Sequence, residues 1–112
     1  MIEQTIVDYL DENLSVPAYM EKPEDPPESY VLVEKTSGSE SNHILSATIA
    51  VQSYALTLLQ AAQLNEAVKA CMKNMAALSG ISRARLNSDY NFTDPAKKHY
   101  RYQAVFDLVY FE

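Results

Sequence analysis

The chain predicts an α+β fold: a mostly antiparallel sheet of four to five strands with a long hairpin, and two helices packed on one face. Three observations carry this. The stretch from His99 to Phe111 has an aromatic or apolar group at every second position, the period of a strand. The segment from His43 to Tyr54 alternates in the same way, with Leu45, Ala47, Ile49 and Val51 against Ser46, Thr48, Ala50 and Gln52. Between the strand patterns, apolar residues from Leu58 to Leu78 recur in steps of three and four, the stripe of an amphipathic helix.

Taken in order, Ile2 to Leu14 sets Ile2, Ile6, Tyr9, Leu10 and Asn13 or Leu14 at helical spacing with acids between them, so a short amphipathic helix opens the chain. Ser15 to Met20 reads as a short extended piece, and Pro17, which cannot donate to a ladder, favours an edge or strand start. Lys22 to Ser29 holds Pro23, Pro26 and Pro27 among acids and reads as an exposed loop. Tyr30 to Thr36 is dense in β-formers and predicts a central strand. The polar run Ser37 to Asn42 is the expected hairpin tip, with His43 to Tyr54 returning beside it. The stripe of the long helix is Ala61, Leu64, Val68, Cys71, Met75 and Leu78, closed by Ser79-Gly80. Ile81 to Asp94 predicts an irregular strand with a turn or bulge at Asn87-Ser88-Asp89, and Asp94 to Lys98 a turn into the last strand. Hairpins outnumber strand-helix alternations, which is the pattern of α+β rather than of a parallel sheet.

The 112 residues suit one domain, 1–112, with 47% hydrophobic and 21% charged side chains, as in an ordinary globular chain. Fifteen acidic against nine basic residues give a net charge of −6, which argues against direct nucleic-acid binding. The beginning of the sequence carries no basic-then-apolar leader, and no stretch approaches the roughly 18 apolar residues of a membrane span. The expectation is a protein with no membrane association. One cysteine, Cys71, allows no internal disulfide.

Little in the chain carries chemistry. Glu24, Asp25 and Glu28 lack the glycine and regular offsets of a calcium loop, and read as a solvated acidic loop. His43 and His99 each begin a strand with no cysteine, acid or second histidine at metal spacing. Cys71 sits on the apolar stripe and reads as core. With two glycines in all, no nucleotide-binding loop or nucleophile elbow exists. The expectation is therefore no enzyme, no cofactor and no metal. Arg83, Arg85, Lys97, Lys98 and Arg101 gather around the final hairpin as a basic patch, which pairing with acids of the same chain or of a neighbour would absorb. In the last strand Tyr100, Tyr102, Ala104, Phe106, Leu108 and Tyr110 share one face. The other face mixes Arg101, Gln103 and Asp107 with Val105, Val109 and Phe111, enough apolar surface to suggest a partner such as a second copy. Eight tyrosines, most in or beside strands, fit both core packing and interfaces.

Several stretches resemble the small phage tail-terminator and tail-completion proteins, also called minor capsid or neck-type proteins, of Gram-positive phages and prophages. They are Val31-Leu32-Val33-Glu34-Lys35-Thr36 with the polar run Ser37-Gly38-Ser39-Glu40-Ser41-Asn42, then Ala47-Thr48-Ile49-Ala50-Val51-Gln52-Ser53-Tyr54, then Ala61-Ala62-Gln63-Leu64-Asn65, and the terminal Tyr-Arg-Tyr-Gln-Ala-Val-Phe-Asp. The resemblance implies a structural subunit of a ring, usually a hexamer, that caps the tail tube and joins it to the head. Its partners would be copies of itself, the tail-tube protein and a head-completion protein. Its location would be the virion, and the bacterial host cytoplasm during assembly. No catalytic residue carries over. Expected contact residues are Glu34, Lys35, Ser39, Glu40 and His43 near the hairpin tip, and Tyr102, Val105 and Val109 of the last strand. Two alternatives stand beside this: another head-completion or tail-tube protein of the same particle, or a ligand-binding α+β domain. The latter requires a polar group on the buried stripe of the long helix.

Overall fold

The computed structural model describes residues 1–97 and 99–111. Helix α1 spans Ile2–Asn13, followed by strand β1 (Ala18–Tyr19), β2 (Tyr30–Ser41), β3 (Ile44–Ala55), helix α2 (Leu58–Lys73), a 3₁₀ turn (Met75–Ala77), β4 (Ile81–Asn91) and β5 (Tyr100–Tyr110). The fold is α+β. Its one sheet has the order β1-β2-β3-β5-β4, so β5 inserts between β3 and β4. Every pairing is antiparallel except that of the two-residue β1, which runs parallel to β2 at Ala18 and Tyr19. Lys98, expected in the last turn, lies outside the described residues.

Both helices cover one face. Ile2, Ile6, Val7 and Leu10 of α1 and Val68 and Met72 of α2 share a core with Val31 and Val33 of β2, Ile49 and Val51 of β3, and Ala104, Phe106 and Leu108 of β5. This is the alternation expected of β3 and β5, and it makes burial of one face of the sheet the main stabilising term. The Thr57 hydroxyl caps α2 by accepting from the Gln60 N–H at 3.1 Å.

Three details differ from the sequence expectation. The polar run 37–41 is strand rather than tip: β2 continues to Ser41, and the hairpin turns at Asn42 and His43, both at positive φ (53° and 66°). That conformation matches a tight two-residue hairpin turn, and the poor strand propensity of Ser37 to Ser41 is overridden by pairing with Ile44 to Thr48, of which Leu45 to Thr48 are also paired with β5. Second, the helix ends at Lys73, not Leu78. At Asn74 the N–H tightens onto the Cys71 carbonyl at 3.1 Å, and the chain passes into the 3₁₀ turn that buries Met75. Third, the buried stripe of α2 is Ala61, Asn65, Val68 and Met72, one residue round from Leu64 and Cys71, which are only half-buried. The irregular strand expected over 81–94 is β4, with register shifts at Ser82 and at Asn87, the latter where a turn or bulge is expected.

Tyr30 is wholly buried, stacked on Tyr54 with ring centroids 4.7 Å apart and edge-on to Tyr19 and His99. Its hydroxyl has no hydrogen-bond partner among the described residues, and burial pushes its pKa up. A buried hydroxyl without a partner costs free energy that phenylalanine would not pay. Tyr30→Phe should therefore leave the unfolding free energy unchanged or raise it by about 1 kcal/mol in urea titration. A loss of similar size would mean that a bound water serves the hydroxyl.

Candidate functional site

Away from the helices the sheet presents an uncovered face. The register lays its residues in rows: Leu32, Gln52, Gln103 and Tyr90; then Glu34, Ala50, Val105 and Ser88; then Ser37, Thr48, Asp107 and Arg85; then Ser39, Ser46, Val109 and Arg83. Polar rows are knitted across strands. Gln52 Nε2 donates to Gln103 Oε1 at 2.9 Å, and Gln103 Nε2 donates to the Tyr90 hydroxyl. Asp107 accepts from Thr48 Oγ1 at 3.2 Å and from Asn87 Nδ2 at 3.0 Å. Satisfied amide and hydroxyl rows of this kind stiffen a surface and leave little apolar area between them. Val105 and Val109 do lie here, half-buried by their neighbours, so the face is less apolar than the alternation of β5 implies.

The expected contact residues do not form one patch. Glu34, Lys35, Ser39, Glu40 and His43 are all exposed, but Glu34 and Lys35 sit mid-strand beside the bulge at Thr36, and only His43 belongs to the turn. Tyr102 pairs with Ser53 and Asn91 and lies on the helix side, opposite Val105 and Val109.

What unites the first group is the outer edge of β2. Strand β1 covers that strand only at Val31 and Leu32, so from Val33 to Ser41 its outward N–H and C=O groups have no strand beside them. The far side of the sheet ends in the same way at β4, whose only strand partner among the described residues is β5. The two open edges differ in charge. Glu34 and Glu40 lie on β2 along with Lys35, while Arg83 and Arg85 are exposed on β4. Arg83 and Arg85 point to the same uncovered face as Glu34. Sequence reasoning placed these arginines in a basic patch without seeing an edge, because strand order is not visible in chain order. Leu56, Leu58 and Leu59, 51%, 41% and 68% exposed, were also missed. Their signal is that Leu59 falls off the buried stripe of α2.

On the helix side a cleft of about 510 Å³ opens between α2 and β4, lined by Lys69, Met72, Lys73, Leu86 and Phe106 among others. Near it Asn65, 2% exposed, donates from Nδ2 to Asp89 at 3.2 Å while its Oδ1 has no partner among the described residues. Lys69 bridges Glu66 at 3.1 Å and Asp89 at 3.4 Å, and its pKa is raised chiefly by the hydrogen bond to Glu66. A polar group thus does stand on the buried stripe of α2, contrary to the all-apolar stripe expected from Ala61, Leu64, Val68, Cys71 and Met75. It is tied to the Asp89 and Lys69 cluster, which joins α2 to β4.

Cys71 is half-buried, its carbonyl accepting from the Tyr9 hydroxyl at 2.9 Å. Burial pushes its thiol pKa up, so at pH 8 less of it is thiolate than of a free cysteine, and a nucleophile needs the thiolate. Iodoacetamide should alkylate Cys71 at least about 10-fold more slowly than free cysteine at pH 8, followed by mass spectrometry. A rate equal to that of free cysteine would mark the thiol as accessible and activated.

Among the described residues no group of three His, Cys, Asp or Glu side chains is placed to hold a metal ion, and no helix is long and apolar enough to cross a membrane. Compared with known proteins, the chain matches no protein-family model and no curated protein sequence.

Proposed function

We propose that this protein is a structural assembly subunit that associates edge to edge into a closed ring and, as its resemblance implies, terminates a phage tail tube and joins it to the head. The observation that carries the reading is the pair of open, unlike strand edges on opposite sides of one sheet. A cyclic ring needs two different complementary patches per subunit, and these edges are such patches. Strand direction also fits. Strands β2, β3, β5 and β4 alternate in direction, so the β2 of a following copy, in the same orientation, would meet β4 antiparallel. All helices would then lie on one side of the ring wall and all uncovered faces on the other. Glu34 of the β2 edge would approach Arg83 and Arg85 on the face they share, a charge match that favours the heterologous contact over self-pairing of either edge. The bulges at Thr36, Ser82 and Asn87 interrupt each edge and so restrict the registers that can pair. On this reading the protein works by contact, without turnover.

Light scattering on the purified chain at low and high concentration tests this. A closed species near six subunits is expected, the ring size that the resemblance implies. Open-ended tubes would favour a tail-tube role, and a monomer at every concentration would overturn self-association as the basis of the function. The buried Asn65 beside the α2–β4 cleft favours the ligand-binding alternative to a lesser degree, because its amide N–H and Lys69 are both committed to Asp89 and only its Oδ1 is left to take a ligand.

A further inference from the structure

At the end of the uncovered face away from the β2–β3 turn, a cavity of about 440 Å³ is lined by Lys22, Tyr54, Asp94, Lys97, His99 and Arg101. Three permanent cations against one carboxylate is the reverse of the chain as a whole, which carries a net charge of −6. Among the described residues, none of the three cations is in an ion pair. Asp94 has one carboxylate oxygen occupied, accepting from the Ala96 N–H at 3.0 Å in the turn.

Arg101 is held in place rather than floating. Its Nε donates to the Phe92 carbonyl at 2.6 Å, its Nη1 donates to the Tyr54 hydroxyl at 2.9 Å, and its guanidinium lies 4.3 Å from the Phe92 ring centroid. These bonds leave Nη2 uncommitted, and a guanidinium fixed by a stack and two hydrogen bonds gives up little entropy on taking a further acceptor. The Tyr54 hydroxyl accepts from Arg101 and donates to Gln52 Oε1 at 3.0 Å, which ties the site to the amide row of the uncovered face. His99 packs against Tyr54 at 5.3 Å, and its Nε2 is buried with no partner among the described residues. Lys22 and Lys97 are exposed at the rim and come from separate loops.

We propose that this cavity is an oxyanion site, taking a phosphate or carboxylate group against Arg101, with Lys22 and Lys97 closing round it. Unpaired cations converging on one concavity in an acidic protein are most stable with an anion between them. The site stands apart from the β2 and β4 edges and does not depend on ring formation.

The chain has two histidines, and the second, His43, lies in the turn at the far end of the hairpin. It is an internal control. In the ¹⁵N-labelled full chain, inorganic phosphate should shift the His99 ring resonances along a saturating curve that His43 does not follow and that sodium chloride of equal ionic strength does not reproduce. The Lys22→Met, Lys97→Met double variant, exposed at both positions, should keep its melting temperature and bind phosphate about 10-fold more weakly. A synthetic peptide copying 21–28 of this chain, rich in acids, distinguishes the sources. Saturation by the peptide below the phosphate range assigns the site to carboxylates of a neighbouring polypeptide, and saturation by phosphate alone to a free anion. Parallel shifts of His99 and His43, or an unchanged titration in the double variant, would overturn the site.

Discussion

Phe106→Ala should lower the unfolding free energy by about 3–5 kcal/mol, and Val105→Ala by less than about 1 kcal/mol. The two residues are adjacent in β5, yet Phe106 is 2% exposed and points at α2 from a strand with neighbours on both sides, opposite Ile49 and Leu86. Val105 points the other way, onto the uncovered face between Ala50 and Ser88. Against a total stability of about 5–15 kcal/mol for a small domain, the first substitution removes a large fraction and the second little. Urea titration of both variants measures the difference. Equal losses would mean that the uncovered face is also buried in solution, as it would be inside a tight assembly.

Reversing charge on the β4 edge is the largest effect expected on association. Arg83→Glu with Arg85→Glu should weaken assembly by about 100-fold or more, because like charges facing each other across an interface cost several kcal/mol. In sedimentation velocity the doubly reversed chain should run as a monomer at concentrations at which the parent, on the proposed reading, forms rings. Glu34→Arg, on the face that Arg83 and Arg85 share, should fail in the same way. Mixing the two reversed chains should restore association, since each then carries the complement of the other's intact edge pattern. The fold should be indifferent, because all three side chains are exposed. Unimpaired assembly of the arginine-reversed chain would remove the β4 edge from the interface.

Much of the fold was legible because two signals were strong. Period-two alternation in β3 and β5 names the residues on the helix side correctly, from Ala47 to Val51 and from Ala104 to Tyr110. The α1 pattern likewise identifies Ile2, Ile6 and Leu10 as buried. Steps of three and four along α2 are satisfied nearly as well by Leu64 and Cys71 as by Asn65 and Met72, and only the docking angle on the sheet decides between them. Bulges invert the alternation of β4 partway along, which its sequence shows as an irregular strand, and the polar end of β2 is a strand only because β3 lies beside it. The candidate surfaces were harder. Glu34, Lys35, Ser39, Glu40 and His43 were found as exposed polar groups, but that they lie along an open edge follows from strand order. Lys22 joins Lys97 and Arg101 only through folding of two loops far apart in sequence.

Inserting β5 between β3 and β4 also sets the order in which this chain can mature on a ribosome. As synthesis proceeds, α1, the β2–β3 hairpin and α2 emerge with a hydrophobic face only partly covered, and β4 emerges with no strand to bond, since its only strand neighbour is β5. Closure waits for β5, which then docks along both β3 and β4. Until that step the nascent chain exposes the inner edge of β3 as well as the outer edge of β2, and it is most open to wrong pairing with other chains. For a subunit proposed to join copies of itself by its edges, finishing the middle of the sheet last keeps the two correct edges from being displayed together before the subunit is complete.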